Sequence, residues 1–280
     1  MSVIDFHLHI MDPANLRPWT VEYVVKSSGQ EMEHLSRVMA SPDLLLEMLH
    51  DNGVDCAVVL TEMSPITTGV ISNEAVAEFC RGQEALIPFA NINPFLVGNA
   101  AQEAERYVRE MGFGGLKLYP TYQGFYANDS MLYPVYAKAQ ELGIPVVIHT
   151  GSSIFSGARL KYGDPLYIDD VAVDFPELSL IQAHGGRGFW YDRAFFLTRL
   201  HRNVYLDVAG LPPYKLLEYF PELEKNADKI LFGSDWPGLR SIGQNIGAIR
   251  SLPLADDIKA KILGGNAARL LNRSVRPMTD

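Results

Sequence analysis

Val3-Ile4-Asp5-Phe6-His7-Leu8-His9 is the stretch on which the reading of this chain turns. Its β-branched start and alternating pattern predict a strand. Successive side chains on a strand point to opposite faces, so His7 and His9 share one, roughly 6–7 Å apart. Two imidazoles side by side at a strand end can hold one metal ion. Whether they do depends on what the other segments bring to that end.

Working outward, the pattern repeats as apolar run, turn and amphipathic helix. The segment from Ile10 to about Ala40 carries Pro13, Pro18, Trp19 and Gly29. Its length suits a lid or binding loop, with a helix expected around Glu31–Met39. Ser41-Pro42-Asp43 then reads as an N-cap with proline at the first helical position. Further strands are predicted at 56–60, 86–91, 115–119, 145–149, 178–184, 204–207 and 229–235. Pro88 sits awkwardly in the third of the eight. The last helices are expected over 242–251 and 255–271.

Eight strands alternating with helices over about 270 residues is the count of a (β/α)8 TIM barrel. The expected fold is therefore α/β, one barrel domain over residues 1–280, with a long connection after the first strand and a C-terminal helix. Near-continuous Val, Ile and Leu in the strands fits parallel strands covered on both faces. A doubly wound open sheet would require a Gly-rich first strand–helix turn, and residues 10–15 contain no glycine.

Of the 280 residues, 48% are apolar and 20% charged, an ordinary composition for a soluble chain, long enough to bury a large core. The net charge of −9 argues against a nucleic acid or an anionic membrane as partner. An anionic small molecule in a locally basic pocket remains open. Cys56 and Cys80 sit inside apolar runs without zinc-site spacing and read as buried free thiols. No signal-like pattern precedes the first strand and no apolar run reaches 18 residues, so the default expectation is a reducing cytoplasm.

In a barrel, catalytic groups collect at the C-terminal ends of the strands. Strand one ends in His7 and His9, strand five in His149, strand six in His184 and strand eight in Asp235. Four of the seven histidines thus occupy strand ends. His34, His50 and His201 fall in a loop or on helix surfaces and read as ordinary exposed residues. Parity turns His149 inward with Val147, while Val146 and Ile148 face the helices. It turns Asp235 inward with Gly233, while Phe232 faces out. Three histidines and a carboxylate suit zinc or a similar divalent ion, which lowers the pKa of bound water to about 7. Asp235 can touch the ion and take that water's proton. His184 is either a further ligand or a general acid/base.

Asp5-Phe6-His7-Leu8-His9, Ile148-His149-Thr150-Gly151, Ala183-His184-Gly185-Gly186 and Gly233-Ser234-Asp235-Trp236-Pro237 together resemble the amidohydrolase superfamily. Ile262 to Leu271 fits its closing helix. The nearest branch looks like the amidohydrolase-related group that includes aminocarboxymuconate semialdehyde decarboxylase. The resemblance spans essentially the whole chain. It implies His7, His9, His149 and Asp235 as ligands of one divalent ion, zinc with manganese as the alternative. It implies His184 as the catalytic histidine beside that ion, and a homodimer. Some superfamily members carry a carbamylated lysine bridging two metals at the end of strand four, where this chain has Lys117. Bridging, contact with substrate and a structural role are all open for it.

Lys117, Arg159, Arg187 and Arg240 lie at or beyond strand ends, where an arginine can hold a carboxylate with two parallel hydrogen bonds. Trp19, Tyr122, Phe125, Tyr126, Phe155, Trp190, Tyr191 and Trp236 crowd the same loops and suggest a pocket for a flat molecule. Lys117, Arg187, Arg240 and Trp19 are the candidate substrate-binding residues. The expected activity is metal-dependent hydrolysis of a small, carboxylated, cyclic or aromatic substrate through an amide, lactone or ester bond. The alternative is non-oxidative decarboxylation of an aromatic or muconate-type acid by the same residues.

Overall fold

The structure, a computed structural model, describes residues 2–238 and 241–272. Eight strands form one sheet: β1 Ile4–His9, β2 Cys56–Leu60, β3 Leu86–Asn91, β4 Gly115–Leu118, β5 Val146–Gly151, β6 Leu180–Arg187, β7 Val204–Asp207 and β8 Ile230–Leu231. They pair in sequence order, each parallel to the next. The far side of β1 bonds to the segment following β8. Phe6 N–H donates to Phe232 O at 2.9 Å, Asp235 N–H to His7 O at 2.8 Å and His9 N–H to Trp236 O at 2.8 Å. The ring is thereby closed as a TIM barrel, with helices in the connections.

Two apolar layers follow from the strand alternation. Ile4, Phe6, Val58, Phe89, Val147, Ile181 and Leu231 fill the lower interior. Leu8, Val59, Leu116, Val146, Ile148, Leu180 and Phe232 face the helices. Parity therefore holds at Val146, Val147, Ile148 and Phe232. Pro88 is tolerated inside β3 because β4 begins pairing one residue later, at Phe89 with Gly115. Its carbonyl still accepts from Gly114 N–H at 2.9 Å, so the missing donor costs that ladder nothing.

Several boundaries differ from the sequence reading. The segment after β1 contains a helix at Pro18–Ser28 as well as the expected one, Met32–Met39. Pro18 occupies the helix's first turn, where proline is tolerated, so it starts a helix rather than marking a loop. A short antiparallel pair, Met63–Ser64 with Gly69–Val70, follows β2 unannounced. Regular pairing of the eighth strand covers Ile230–Leu231 alone, because the chain then turns to bond with β1. Cys56 and Cys80 are buried and form no disulfide. Among the described residues no helix is long and apolar enough to cross a membrane.

Candidate active site

The barrel interior changes character within β1. Phe6 packs edge-on against Phe89 with ring centroids 5.6 Å apart. Immediately above, the β1–β2 register slips between Asp5 and Leu8. Ile4 and Phe6 face the interior while Leu8 faces the helices, so the slip is what brings His7 and His9 inward. Asp5 braces it: its Oδ1 accepts from His7 N–H at 3.1 Å and from Ser234 N–H at 2.8 Å. Gly233 is required beside it, since a Cβ there would stand 2.6 Å from His7 Cβ.

Two other site residues depart from regular strand geometry. His184 and Asp235 have φ of 63° and 62°, values that cost a non-glycine residue roughly 1–3 kcal/mol. Surrounding bonds hold both. His184 N–H donates to Asp207 Oδ1 at 2.8 Å and its Nδ1 lies 2.9 Å from Ala209 O. Asp235 N–H is bonded to His7 O. The conformation re-aims both side chains into the mouth of the barrel.

There His7 Nε2 and His9 Nε2 each lie 3.6 Å from Asp235 Oδ1. Candidate ligand atoms of His7, His9 and Asp235 all fall within 4.8 Å of one another. The His184 ring is 4.7 Å from those of both His7 and His149. Nε2 of His7 and of His149 are buried without a hydrogen-bond partner, an arrangement costly unless something completes it. Burial, helped by Lys117, pulls the His7 imidazole down to about 4, and burial holds His149 and His184 well below the ordinary range. Neutral imidazoles are the form that binds metal. Burial opposes ionisation of Asp235, but the surrounding imidazoles and Arg187 keep its carboxyl well below the usual range. Neutral nitrogens around an ionised carboxylate fit a divalent cation.

Asp207, at the end of β7, was not singled out from the sequence. Its Oδ2 lies 2.8 Å from His7 Nδ1, and its Oδ1 accepts from the backbone N–H of His184 at 2.8 Å and of Ala209 at 3.1 Å. Burial opposes its charge, yet His7 and His184 bring its carboxyl down to about 2. Both oxygens are engaged and Oδ2 orients His7, and candidate ligand atoms of His7, His184 and Asp207 also fall within 4.8 Å of one another. The strand-end rule that found Asp235 applies equally to Asp207.

A cavity of about 280 Å³ opens above these groups. His7, His9, His149, His184 and Asp235 all line it, together with Arg187, Glu62, Tyr119, Tyr122 and Phe155. Arg187 is loosely held, with Nη1 3.6 Å from Asp235 Oδ2 and Nη2 3.4 Å from Ser152 O. Tyr122 lies 4.8 Å from the His149 ring and 6.0 Å from Phe155, which in turn meets Tyr23 at 5.2 Å. One wall is thus aromatic. Tyr23, on the helix after β1, and Glu62, just after β2, escaped the sequence reading because neither ends a predicted strand.

The remaining candidates are placed differently. Lys117 is fully buried, with Nζ unpartnered and 5.0 Å from the centre of the Tyr119 ring, and it does not line the cavity. Burial lowers its ammonium to about 8. Trp19 lies outside the cavity lining. Its indole N–H donates to Thr67 O at 2.5 Å, tying the first helix to the loop between Ser64 and Gly69. Arg159 is exposed and outside the lining. Arg240 falls outside the described residues.

A family model described as Amidohydrolase matches residues 4–273. A gamma-resorcylate decarboxylase from Rhizobium radiobacter is 23% identical over 321 aligned positions, which span 94% of this chain and 95% of that protein. A 2-keto-4-carboxy-3-hexenedioate hydratase from Sphingobium sp. is 30% identical over 209 residues, 61% of this chain and 60% of that protein. The crystal structure of a dihydroxybenzoic acid decarboxylase from Polaromonas sp., with bound manganese and 2-nitroresorcinol, shares the fold with a TM-score of 0.71, 19% identity and 98% of both chains covered. These relatives are decarboxylases and a hydratase, which overturns the hydrolase expected from the sequence in favour of its decarboxylase alternative. The physical reason for the error is that the same ligands and histidine serve both reactions, so the residue pattern carries the metal chemistry and leaves the bond to be broken open.

Proposed function

The chain belongs to the amidohydrolase family, and from that premise we propose that it is a metal-dependent carboxy-lyase acting on a small planar carboxylic acid. The observation that carries this is the convergence of His7, His9 and Asp235, with His149 and its unpartnered Nε2 lining the same cavity beside Arg187 and an aromatic wall. The first four residues hold one divalent ion. Their donor set suits zinc, and the Polaromonas relative contains manganese. When bound, the ion supplies positive charge against the oxygens on which negative charge develops.

The rest of the chemistry belongs to the chain. Arg187 receives the substrate carboxylate, for which its guanidinium fork is suited. Tyr122 and Phe155 flank the ring or conjugated plane. His184 Nδ1 is engaged with the Ala209 carbonyl, so in the neutral ring Nε2 is the acceptor. It takes a proton from a hydroxyl of the substrate and returns one to the carbon from which carbon dioxide departs. The electron pair of the broken C–C bond forms the new C–H bond, so acid goes to arene or alkene plus carbon dioxide. Asp207 keeps His7 in one tautomer throughout.

The test is to load the protein with manganese or zinc and offer hydroxybenzoates and muconate-type acids, measuring carbon dioxide released against acid consumed. Equal release and consumption with at least one acid is the expected result. Consumption without release, with loss of alkene absorbance, would favour hydration instead, the activity of the Sphingobium relative. Neither change, in protein that retains no metal, would sink the proposal.

A further inference from the structure

We propose that the cavity selects acids carrying a single carboxylate and a hydrogen-donating substituent at the opposite end, and that Glu62 makes this selection. The inference deepens the carboxy-lyase reading and rests on its assignment of Arg187 to the carboxylate. It follows from where the two charges stand. In a closed ring of eight strands taken in order, β2 and β6 are diametrically opposed. Arg187 ends β6, and Glu62 follows β2 by two residues. Both side chains line the cavity, so a ligand spanning it meets a guanidinium at one end and a carboxylate at the other.

Glu62 is held in that wall. Thr68 donates its hydroxyl to Glu62 Oε1. Thr68 lies at the turn of the short hairpin after β2, and its carbonyl accepts from Arg17 N–H at 3.0 Å. The next residue, Gly69, runs so close to the segment after β1 that a Cβ there would stand 2.4 Å from Asn15 O. The Glu62 carbonyl accepts from Ile71 N–H at 2.9 Å, fixing the backbone on the other side. The carboxylate is thereby tied to a hairpin that is itself anchored to the segment after β1. A hydroxyl or amine facing it gains a charge-assisted hydrogen bond. A second carboxylate facing it meets like charge in a sheltered cavity. Burial pushes the Glu62 carboxyl up, while His9, the Thr68 hydroxyl and the buried Lys117, which does not line the cavity, favour its ionised form.

The test uses two ligands that differ at one ring position. 2,4-Dihydroxybenzoate carries a hydroxyl, para to its carboxylate, where 2-hydroxybenzene-1,4-dicarboxylate carries a second carboxylate. Both are titrated calorimetrically into the manganese-loaded full chain and into Glu62→Gln and Glu62→Asp. The wild type is expected to prefer the dihydroxy acid by about 10-fold or more. Glu62→Gln should bring the two ligands within about 3-fold, chiefly by tightening the diacid, whereas Glu62→Asp keeps the charge and the preference. Because the readout is a ratio within one preparation, a loss of folded protein cancels, and circular dichroism monitors it. Equal binding of both ligands to the wild type, or an unchanged ratio in Glu62→Gln, overturns the role of Glu62 alone. If the wild type binds neither ligand, the assignment of Arg187 to the carboxylate falls and this inference falls with it, while carbon dioxide release still decides the carboxy-lyase reading.

Discussion

The lower and upper halves of the barrel interior are built from the same strands and behave oppositely. Below, Phe6, Val58, Phe89, Val147 and Ile181 form a dry, interlocked layer. Above, His7, His9, Lys117, His149 and Asp207 stand on those strands or their neighbours, also buried, several with polar atoms that find no partner. The lower half satisfies itself. The upper half is complete only when something is added to it. One or two residues along a strand separate the regimes, and the slip in β1 marks the border. The contrast teaches that stability and chemistry are drawn from separate layers, so each should be damaged with limited effect on the other.

The largest effect is expected where the upper layer loses charge. Asp235→Ala removes the only carboxylate facing both His7 Nε2 and His9 Nε2 among the described ion pairs. Metal retention after dialysis and turnover should fall by several orders of magnitude, while the thermal transition of metal-free protein falls only modestly, since a carboxylate that the imidazoles and Arg187 hold ionised has gone and alanine is left at the same positive φ. A metal-free protein that melts far earlier would show that the upper layer also carries stability.

The reverse experiment is Phe89→Ala. Its ring fills the space left by Gly115, where a Cβ would approach within 2.3 Å of the ring, and it meets Phe6 edge-on. Truncating a buried phenylalanine costs about 3–5 kcal/mol, read by chemical denaturation. Metal affinity of the folded fraction should change little. A collapse of affinity would mean that the layers are mechanically coupled through Phe6 and His7.

These layers were unequally legible in the sequence. Runs of apolar residues with turns between them gave the eight strands, and parity gave Val147 of the lower layer, because alternation and length suffice for parallel strands covered on both faces. Strand ends gave His7, His9, His149, His184 and Asp235, because barrel chemistry gathers there. Asp207 sat at such an end and was passed over, since nothing local distinguishes an aspartate that orients a histidine from one that caps a turn. Tyr23 and Glu62 could not be found by that rule. They reach the cavity from a helix and a hairpin whose docking depends on contacts distant in sequence, such as Arg17 with Thr68. The hydrolase expectation failed for a different reason: geometry shared by two reactions does not record which one is run.

Lys117 sharpens the comparison by titration. Its ammonium is lowered by burial from 10.5 to about 8. Between those values the unfolded chain binds the extra proton, so stability contributed by this site rises with pH from 8 to 10.5. Below 8 the full penalty applies, up to about 3 kcal/mol at 1.36 kcal/mol per pH unit. Lys117→Met should therefore stabilise metal-free protein at pH 7 and lose this advantage by pH 10.5. Urea denaturation of both proteins across that range measures the difference, which isolates Lys117 from the buried tyrosines. A constant difference would mean that the ammonium is compensated in the folded state.

The smallest effect expected is also the most specific, because Asp207 serves both a side chain and the backbone of the upper layer. Its oxygens bind His7 Nδ1 and two backbone N–H groups. Asp207→Asn preserves the size and most of the packing but replaces one acceptor by a donor. If the amide oxygen keeps the His184 and Ala209 N–H groups, its nitrogen faces His7 Nδ1 and forces the ring proton onto Nε2. That nitrogen is then a donor and can no longer act as a ligand. If the amide turns the other way, His7 keeps its tautomer and two backbone N–H groups lose their acceptor beside the strained φ of His184. The first case weakens metal binding by about 10–100-fold with little change in melting of the metal-free protein. The second lowers stability and leaves affinity nearly intact. Competition titration with a chelator, paired with melting of the metal-free form, tells them apart. The first outcome is expected, because two N–H groups converging on one oxygen hold it more firmly than a single ring nitrogen does.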